Sequence, residues 1–73
     1  MRYILMRTEG NPPADKPVGM NNIVGIGDYP SPEKALLFMR PARAMPAEFT
    51  HFGLYSFPYS YLEDCKLALS ERI

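Results

Sequence analysis

Residues 60–73 read SYLEDCKLALSERI, and this stretch decides how many helices and strands the chain is expected to form. Ser60 is followed three residues later by Glu63, which is the S-x-x-E spacing of a helix capping box. At about 100° per residue, one stripe of a helix collects most of the apolar side chains, which are Tyr61, Leu62, Cys65, Ala68, Leu69 and Ile73. Leu67 is the exception, because it projects from the polar side. The stretch therefore predicts a C-terminal helix.

The segments that precede this helix predict three strands. Residues 2–8 carry apolar groups on both alternating faces, which is typical of a central strand covered on both sides. Residues 22–26 are rich in β-branched side chains, and residues 49–57 place aromatic or aliphatic groups on both faces. Between the first two strands, residues 9–21 are dense in proline and glycine and predict a long irregular loop.

A second helix is predicted between the second and third strands. Ser31 suits the N-cap, Pro32 suits the first helical position, and Pro41 ends the helix after about Arg40. The run Ala35–Met39 leaves almost no polar face, so we expect this helix to be covered on most sides, and a 73-residue domain has little internal cover to supply. The element order is then β-β-α-β-α, which predicts a single α+β domain over residues 1–73, with two helices packed on a three-stranded sheet.

Composition excludes several classes of protein. The chain has 73 residues, 47% of them apolar, and eight basic residues balance eight acidic ones, so it does not have the composition of a disordered chain. Its longest apolar run is far shorter than the roughly 20 residues that span a bilayer, and its N-terminus lacks the apolar core of a signal peptide. We therefore expect no membrane partner. One unpaired cysteine indicates a reducing, cytoplasmic setting.

No constellation of catalytic or metal-binding residues is visible in the sequence. Gly25 and Gly27 match half of a dinucleotide-binding fingerprint, but Pro30 stands where the third glycine would be. His51 and Cys65 form the one Cys–His combination, and Cys65 falls on the apolar stripe of the predicted last helix. The chain is therefore predicted to be neither an enzyme nor a carrier of a cofactor or metal.

Aromatic residues are concentrated late in the chain, between residues 49 and 61. Tyrosine, phenylalanine, methionine and arginine are enriched at protein interfaces, and a domain this small is marginal without a partner. We therefore predict a protein-binding module that covers a surface of another protein or of a second copy of itself. The predicted contact residues are Phe52, Tyr55, Tyr59, Leu67, Arg40 and Arg43.

Nucleic-acid binding is the alternative function. It would use the basic residues Arg2, Arg7, Arg40 and Arg43 against phosphates, with bases stacked on neighbouring aromatic rings. A net charge of zero argues against it, because phosphate binding usually requires a basic surplus.

Two stretches resemble small accessory proteins of single-stranded DNA phages. They are the helix segment EKALLF at residues 33–38 and the segment PAEFTHFGLYSF at residues 46–57. With the first strand and the proline-rich loop, the resemblance covers roughly half the chain and assigns no residue a role. It implies a viral or mobile-element accessory protein that inhibits or modulates a host protein complex in the host cytoplasm.

Overall fold

The protein folds into four strands and one helix. A computed structural model describes residues 1–14, 22–40, 47–57 and 65–72. The elements in chain order are β1 (Arg2–Thr8), β2 (Ile23–Asp28), α1 (Pro32–Met39), β3 (His51–Phe57) and β4 (Lys66–Arg72). All neighbouring strands are antiparallel, and they form a single sheet in the order β2-β1-β3-β4. The fold is α+β.

The predicted arrangement of three strands and two helices is wrong, because residues 66–72 form the fourth strand. Along β4, half-buried Leu67, Leu69 and Glu71 alternate with exposed neighbours, which is the two-residue period of a strand. Pairing with β3 gives these backbone groups their hydrogen-bond partners. Ser60 and Glu63, the residues of the predicted capping box, lie outside the described residues.

The prediction that residues 2–8 form a covered central strand is confirmed. β1 lies between β2 and β3, and the four consecutive residues from Tyr3 to Met6 are buried. Their side chains alternate between two clusters, one on each side of the sheet. The side that carries α1, here called the helix face, contains the buried residues Tyr3, Leu5, Ala35, Phe52 and Leu54. The opposite side, here called the loop face, contains Ile4, Met6, Tyr55, Phe57 and Cys65.

Helix α1 begins as the sequence predicts. The side-chain oxygen of Ser31 accepts a hydrogen bond from the backbone N–H of Lys34 at 3.2 Å, and Pro32 occupies the first turn. The helix packs closely on β2 because Gly25 has no side chain there, and a Cβ at this position would lie 3.2 Å from the sulfur of Met39. Among the described helices, none has the length and apolar character needed to cross a membrane.

The described part of the chain covers only one side of α1. Ala35 is fully buried against the sheet, but Leu37 and Phe38 are 70% and 67% exposed. The reason is geometric: one sheet face covers one side of a helix, and no second layer lies over α1 in the described part of the chain.

The first residues of the predicted 9–21 loop pack on the loop face. The backbone oxygen of Pro13 accepts a hydrogen bond from the Tyr55 hydroxyl at 2.7 Å, and the backbone oxygen of Ala14 accepts one from the Leu67 N–H at 3.0 Å. Pro12 lies directly over Gly53, where a Cβ would approach it to 2.7 Å. Residues 12–14 therefore supply cover on the side of the sheet that lacks the helix.

A β-bulge divides β4 into two parts. Leu54 pairs with Leu69 and Tyr55 pairs with Leu67, so Ala68 is an extra residue in the ladder. Because of this shift, Leu69 packs with the helix-face cluster and Leu67 packs with the loop-face cluster. One edge strand thus contributes apolar cover to both sides of the sheet.

Candidate protein-contact surface

The structure separates the residues predicted for protein contact. Phe52 and Tyr55 are buried on opposite faces of the sheet, where they belong to the two core clusters. Leu67 is half-buried on the loop face, whereas Arg40 is exposed at the end of α1. Tyr59 and Arg43 lie outside the described residues. The four described residues therefore do not form one surface patch.

Tyr55 and Cys65 are buried in the loop-face core, which disfavours ionisation of both side chains. Two effects raise the pKa of the Tyr55 phenol to about 12. The larger is the loss of solvent around it, and the smaller is electrostatic repulsion from the nearby Cys65. Loss of solvent also raises the pKa of the Cys65 thiol, so the reactive thiolate form is disfavoured. His51 pairs with Arg72 at one end of the β3–β4 ladder, while Cys65 adjoins the other end. The one Cys–His combination is therefore not assembled into a pair.

The arginines of the nucleic-acid alternative are dispersed. Arg2 lies at the start of β1 and its Nε is 3.1 Å from a carboxylate oxygen of Asp28. Arg7 lies near the other end of β1, with its guanidinium 4.8 Å from the centre of the Phe49 ring. Arg40 forms an ion pair with Glu71. The described arginines thus point to different parts of the surface rather than to one basic patch.

Two large apolar side chains project from α1. Leu37 and Phe38 are the most exposed of the large hydrophobic residues in the described chain. Phe38 stacks on Tyr29 with the ring centres 6.0 Å apart and the ring planes within 9° of parallel. This contact fixes the ring at the surface without burying it. Leu37 and Phe38 are consecutive in the helix, so their side chains point to different sides of α1.

An open groove lies beside Leu37, between α1 and β4. It has a volume of about 220 Å³ and is lined by Glu33, Leu36, Leu37, Arg40 and Leu69. We call it the β4 groove. Its apolar part comes from the three leucines, and Arg40 borders it with its guanidinium held by Glu71. Since β4 is the last strand of the sheet, the groove runs along a sheet edge.

Sequence reasoning indicated apolar residues of α1 as part of a contact face but missed the groove between α1 and β4. Leu69 was assigned to the apolar stripe of a helix, so its place beside α1 could not be foreseen. The continuous apolar run from Ala35 to Met39 was the signal for Leu37 and Phe38, because one sheet cannot cover every side of such a helix. Of the four predicted contact residues that the structure describes, Arg40 is the one that lines the groove.

No group of three or more histidine, cysteine, aspartate or glutamate side chains is placed to hold a metal ion within the described ranges.

No protein-family model matches the chain, and comparison with curated proteins and with solved structures found no significant match.

Proposed function

We propose that the protein is a non-enzymatic binding module that docks on another protein through α1 and the β4 groove. The observation that carries this proposal is Leu37, which is 70% exposed and lines an apolar groove at a sheet edge. At 70% exposure, Leu37 contributes little packing free energy to the free chain. A partner that covers it would gain free energy from its burial.

The composition of this surface suits a protein partner. Leucines supply the apolar centre, and Arg40 at the border supplies hydrogen-bond donors, as in the centre and rim of protein interfaces. Binding would act by occupying the partner's surface, since this mechanism requires no reacting group on the module.

The nucleic-acid alternative has less support. Arg2 and Arg40 already face carboxylates, and Arg7 faces an aromatic ring. Phosphate contacts would have to compete with these interactions. A steep loss of binding as salt concentration rises would identify phosphate contacts, because such binding releases counterions.

The test compares proteins captured from a native extract by the wild-type chain and by two variants. Leu37→Glu places a charge in the groove, whereas Lys34→Glu introduces the same residue at an exposed position of α1 that does not line the groove. We expect Leu37→Glu to lose a specific protein that Lys34→Glu and wild type retain. Both variants should keep stabilities within about 0.5 kcal/mol of wild type, because both sites are exposed.

Nuclease treatment of the extract serves as the control for indirect capture through nucleic acid. Capture that survives nuclease and depends on Leu37 supports the proposal. Capture that is unchanged in Leu37→Glu, or that disappears with nuclease in every variant, contradicts it.

A further inference from the structure

The outer edge of β2 lies at the opposite side of the sheet from the β4 groove. In the described chain no strand lies beyond β2, so its outer backbone groups end the sheet there. We infer that two copies of this chain pair through their β2 strands, antiparallel and about a two-fold axis at Ile26. The two four-stranded sheets would then form one sheet of eight strands, with a β4 groove at each end. This interface is separate from the surface of the proposed function.

The two edges of the sheet differ in charge. Edge strands of natural proteins usually carry features that oppose pairing with another chain, and charged side chains are the commonest of these. Three of the seven residues of β4 are charged, which are Lys66, Glu71 and Arg72. β2 has a single charged residue, Asp28 at its last position, and a carboxylate oxygen of Asp28 lies 3.1 Å from the Nε of Arg2. The β2 edge therefore lacks the charges that protect β4.

Exposed apolar side chains gather at the β2 edge. Ile26 is 60% exposed and lies on the loop face, where it pairs with a buried isoleucine of β1. On the helix face the Tyr29 ring lies over Gly27 and stacks on Phe38, which is 67% exposed. Met1, 55% exposed, adjoins them because its backbone oxygen accepts a hydrogen bond from the Tyr29 N–H. A neighbour at this edge would cover apolar surface on both faces of the sheet.

The backbone of Ile26 points away from β1. The N–H of Tyr29 donates to the backbone oxygen of Met1 at 3.2 Å, just after the end of β2. In an antiparallel ladder every second residue bonds to a given neighbouring strand. Counting back from Tyr29, Ile26 therefore directs its N–H and C=O to the open edge. The register with β1 is regular from Gly25 to Asp28, so no bulge interrupts the edge on either side of Ile26.

The sequence Gly25-Ile26-Gly27 is symmetric about its centre, which makes a second copy the occupant that fits this edge. An axis at Ile26 joins the two Ile26 residues by a pair of backbone hydrogen bonds and sets their side chains together on the loop face. Each Gly25 then lies opposite Gly27 of the second copy. The two Asp28 residues fall at opposite ends of the pairing, about 13 Å apart along the strands, so no like charges face each other.

The two glycines also make room on the helix face. A Cβ at Gly27 would lie 3.0 Å from the Tyr29 ring, and a Cβ at Gly25 would lie 3.2 Å from the sulfur of Met39. Because Gly27 lies opposite Gly25 of the second copy, the Tyr29 ring of each chain comes to lie beside Met39 of the other. Methionine sulfur makes favourable contacts with aromatic rings, and the two-fold axis produces this contact twice.

Sedimentation equilibrium of the full chain tests this self-association. The interface is small, so we expect a reversible dimer with a dissociation constant of roughly 10 μM. Ile26→Lys and Ile26→Glu each set like charges opposite each other at the axis, and each should weaken the dimer at least about tenfold. An equimolar mixture of the two variants pairs lysine with glutamate, and it should return to within about threefold of wild type. Ser70→Lys, at an exposed position of β4, is the matched control and should dimerise as wild type does.

Isotope-filtered NMR of the wild-type chain locates the contact without any substitution. The sample is a mixture of isotope-labelled and unlabelled chains, so that only contacts between copies are detected. We predict a contact between the Hα atoms of Gly25 in one chain and Gly27 in the other, because opposed residues are closest at pairs without hydrogen bonds. Contacts between copies that involve Leu69 to Arg72 instead would assign self-association to the β4 edge and overturn the inference.

A wild-type chain that stays monomeric up to about 1 mM overturns the inference. So does a dimer that Ile26→Lys leaves unchanged, or a mixture of the two Ile26 variants that fails to recover dimerisation. If Leu37→Glu still loses its captured protein in these cases, the proposed function stands and only the self-association is wrong. A dimer at β2 together with capture that Leu37→Glu leaves unchanged gives the opposite result: the inference stands and the proposed function is wrong.

Discussion

At the scale of single residues, Gly53 shows how closely the loop packs on the sheet. A Cβ at this position would lie 2.7 Å from the Pro12 side chain and 3.0 Å from the Tyr55 ring. Gly53→Ala should therefore cost about 1–3 kcal/mol of unfolding free energy, the usual cost of forcing an extra methyl group into a packed site. Urea denaturation measures this cost.

Gly10→Ala is the matched control, because a Cβ at Gly10 would meet nothing within 4 Å. This variant should stay within about 0.5 kcal/mol of wild type. Equal stabilities of the two alanine variants would show that Pro12 does not pack over Gly53.

The buried phenol of Tyr55 predicts a loss of stability at alkaline pH. In the unfolded chain it ionises near its ordinary pKa of 10, whereas burial raises its pKa to about 12 in the folded protein. Between these values the unfolded state binds fewer protons, so the free energy of unfolding falls as pH rises from about 10 to about 12.

Urea midpoints measured across this range for wild type and Tyr55→Phe test this prediction. The variant should lose on the order of 1 kcal/mol at neutral pH, because its ring cannot donate to Pro13. It should also lose less stability than wild type as pH rises. If the urea midpoints of wild type and Tyr55→Phe fall equally as pH rises, the phenol of Tyr55 is not buried as described.

At the scale of elements, most boundaries follow from local chemistry in the sequence. The predicted bounds of β1 match the structure, and α1 starts at Pro32 because its cap and first turn are encoded locally. β4 was mistaken for a helix because its apolar residues fit a helical stripe as well as a strand. Leu67 is the one side chain that does not fit the stripe, and in the structure it packs on the loop face while Leu69 packs on the helix face.

The bulge in β4 could not be foreseen from the sequence. It depends on how β4 registers against β3, and Ala68 carries no local signal of being the extra residue. The same limit applies to the candidate site. Arg40 could be chosen from its residue type and its place at a helix end, but the groove requires α1 and β4 to be neighbours, which is a tertiary fact.

At the scale of the whole molecule, the two faces of the sheet are covered by different means. α1 covers one face, and residues 12–14 lie over the other, where they bond to Tyr55 and Leu67. The predicted contact residues Phe52 and Tyr55 take part in this packing, and both are buried in the core. The large apolar side chains that stay exposed in the described chain are Leu37 and Phe38 on α1, Ile26 on β2, and Met1.

All of this depends on residues 66–72 forming an edge strand, and NMR measures that most directly. In a NOESY spectrum of the full chain we predict cross-strand contacts between Gly53 and Ser70 and between Leu54 and Leu69. Strong sequential amide–amide contacts across residues 66–72, with contacts from each Hα to the amide three residues later, would show a helix instead. That result would contradict the fold, the groove and the binding surface together.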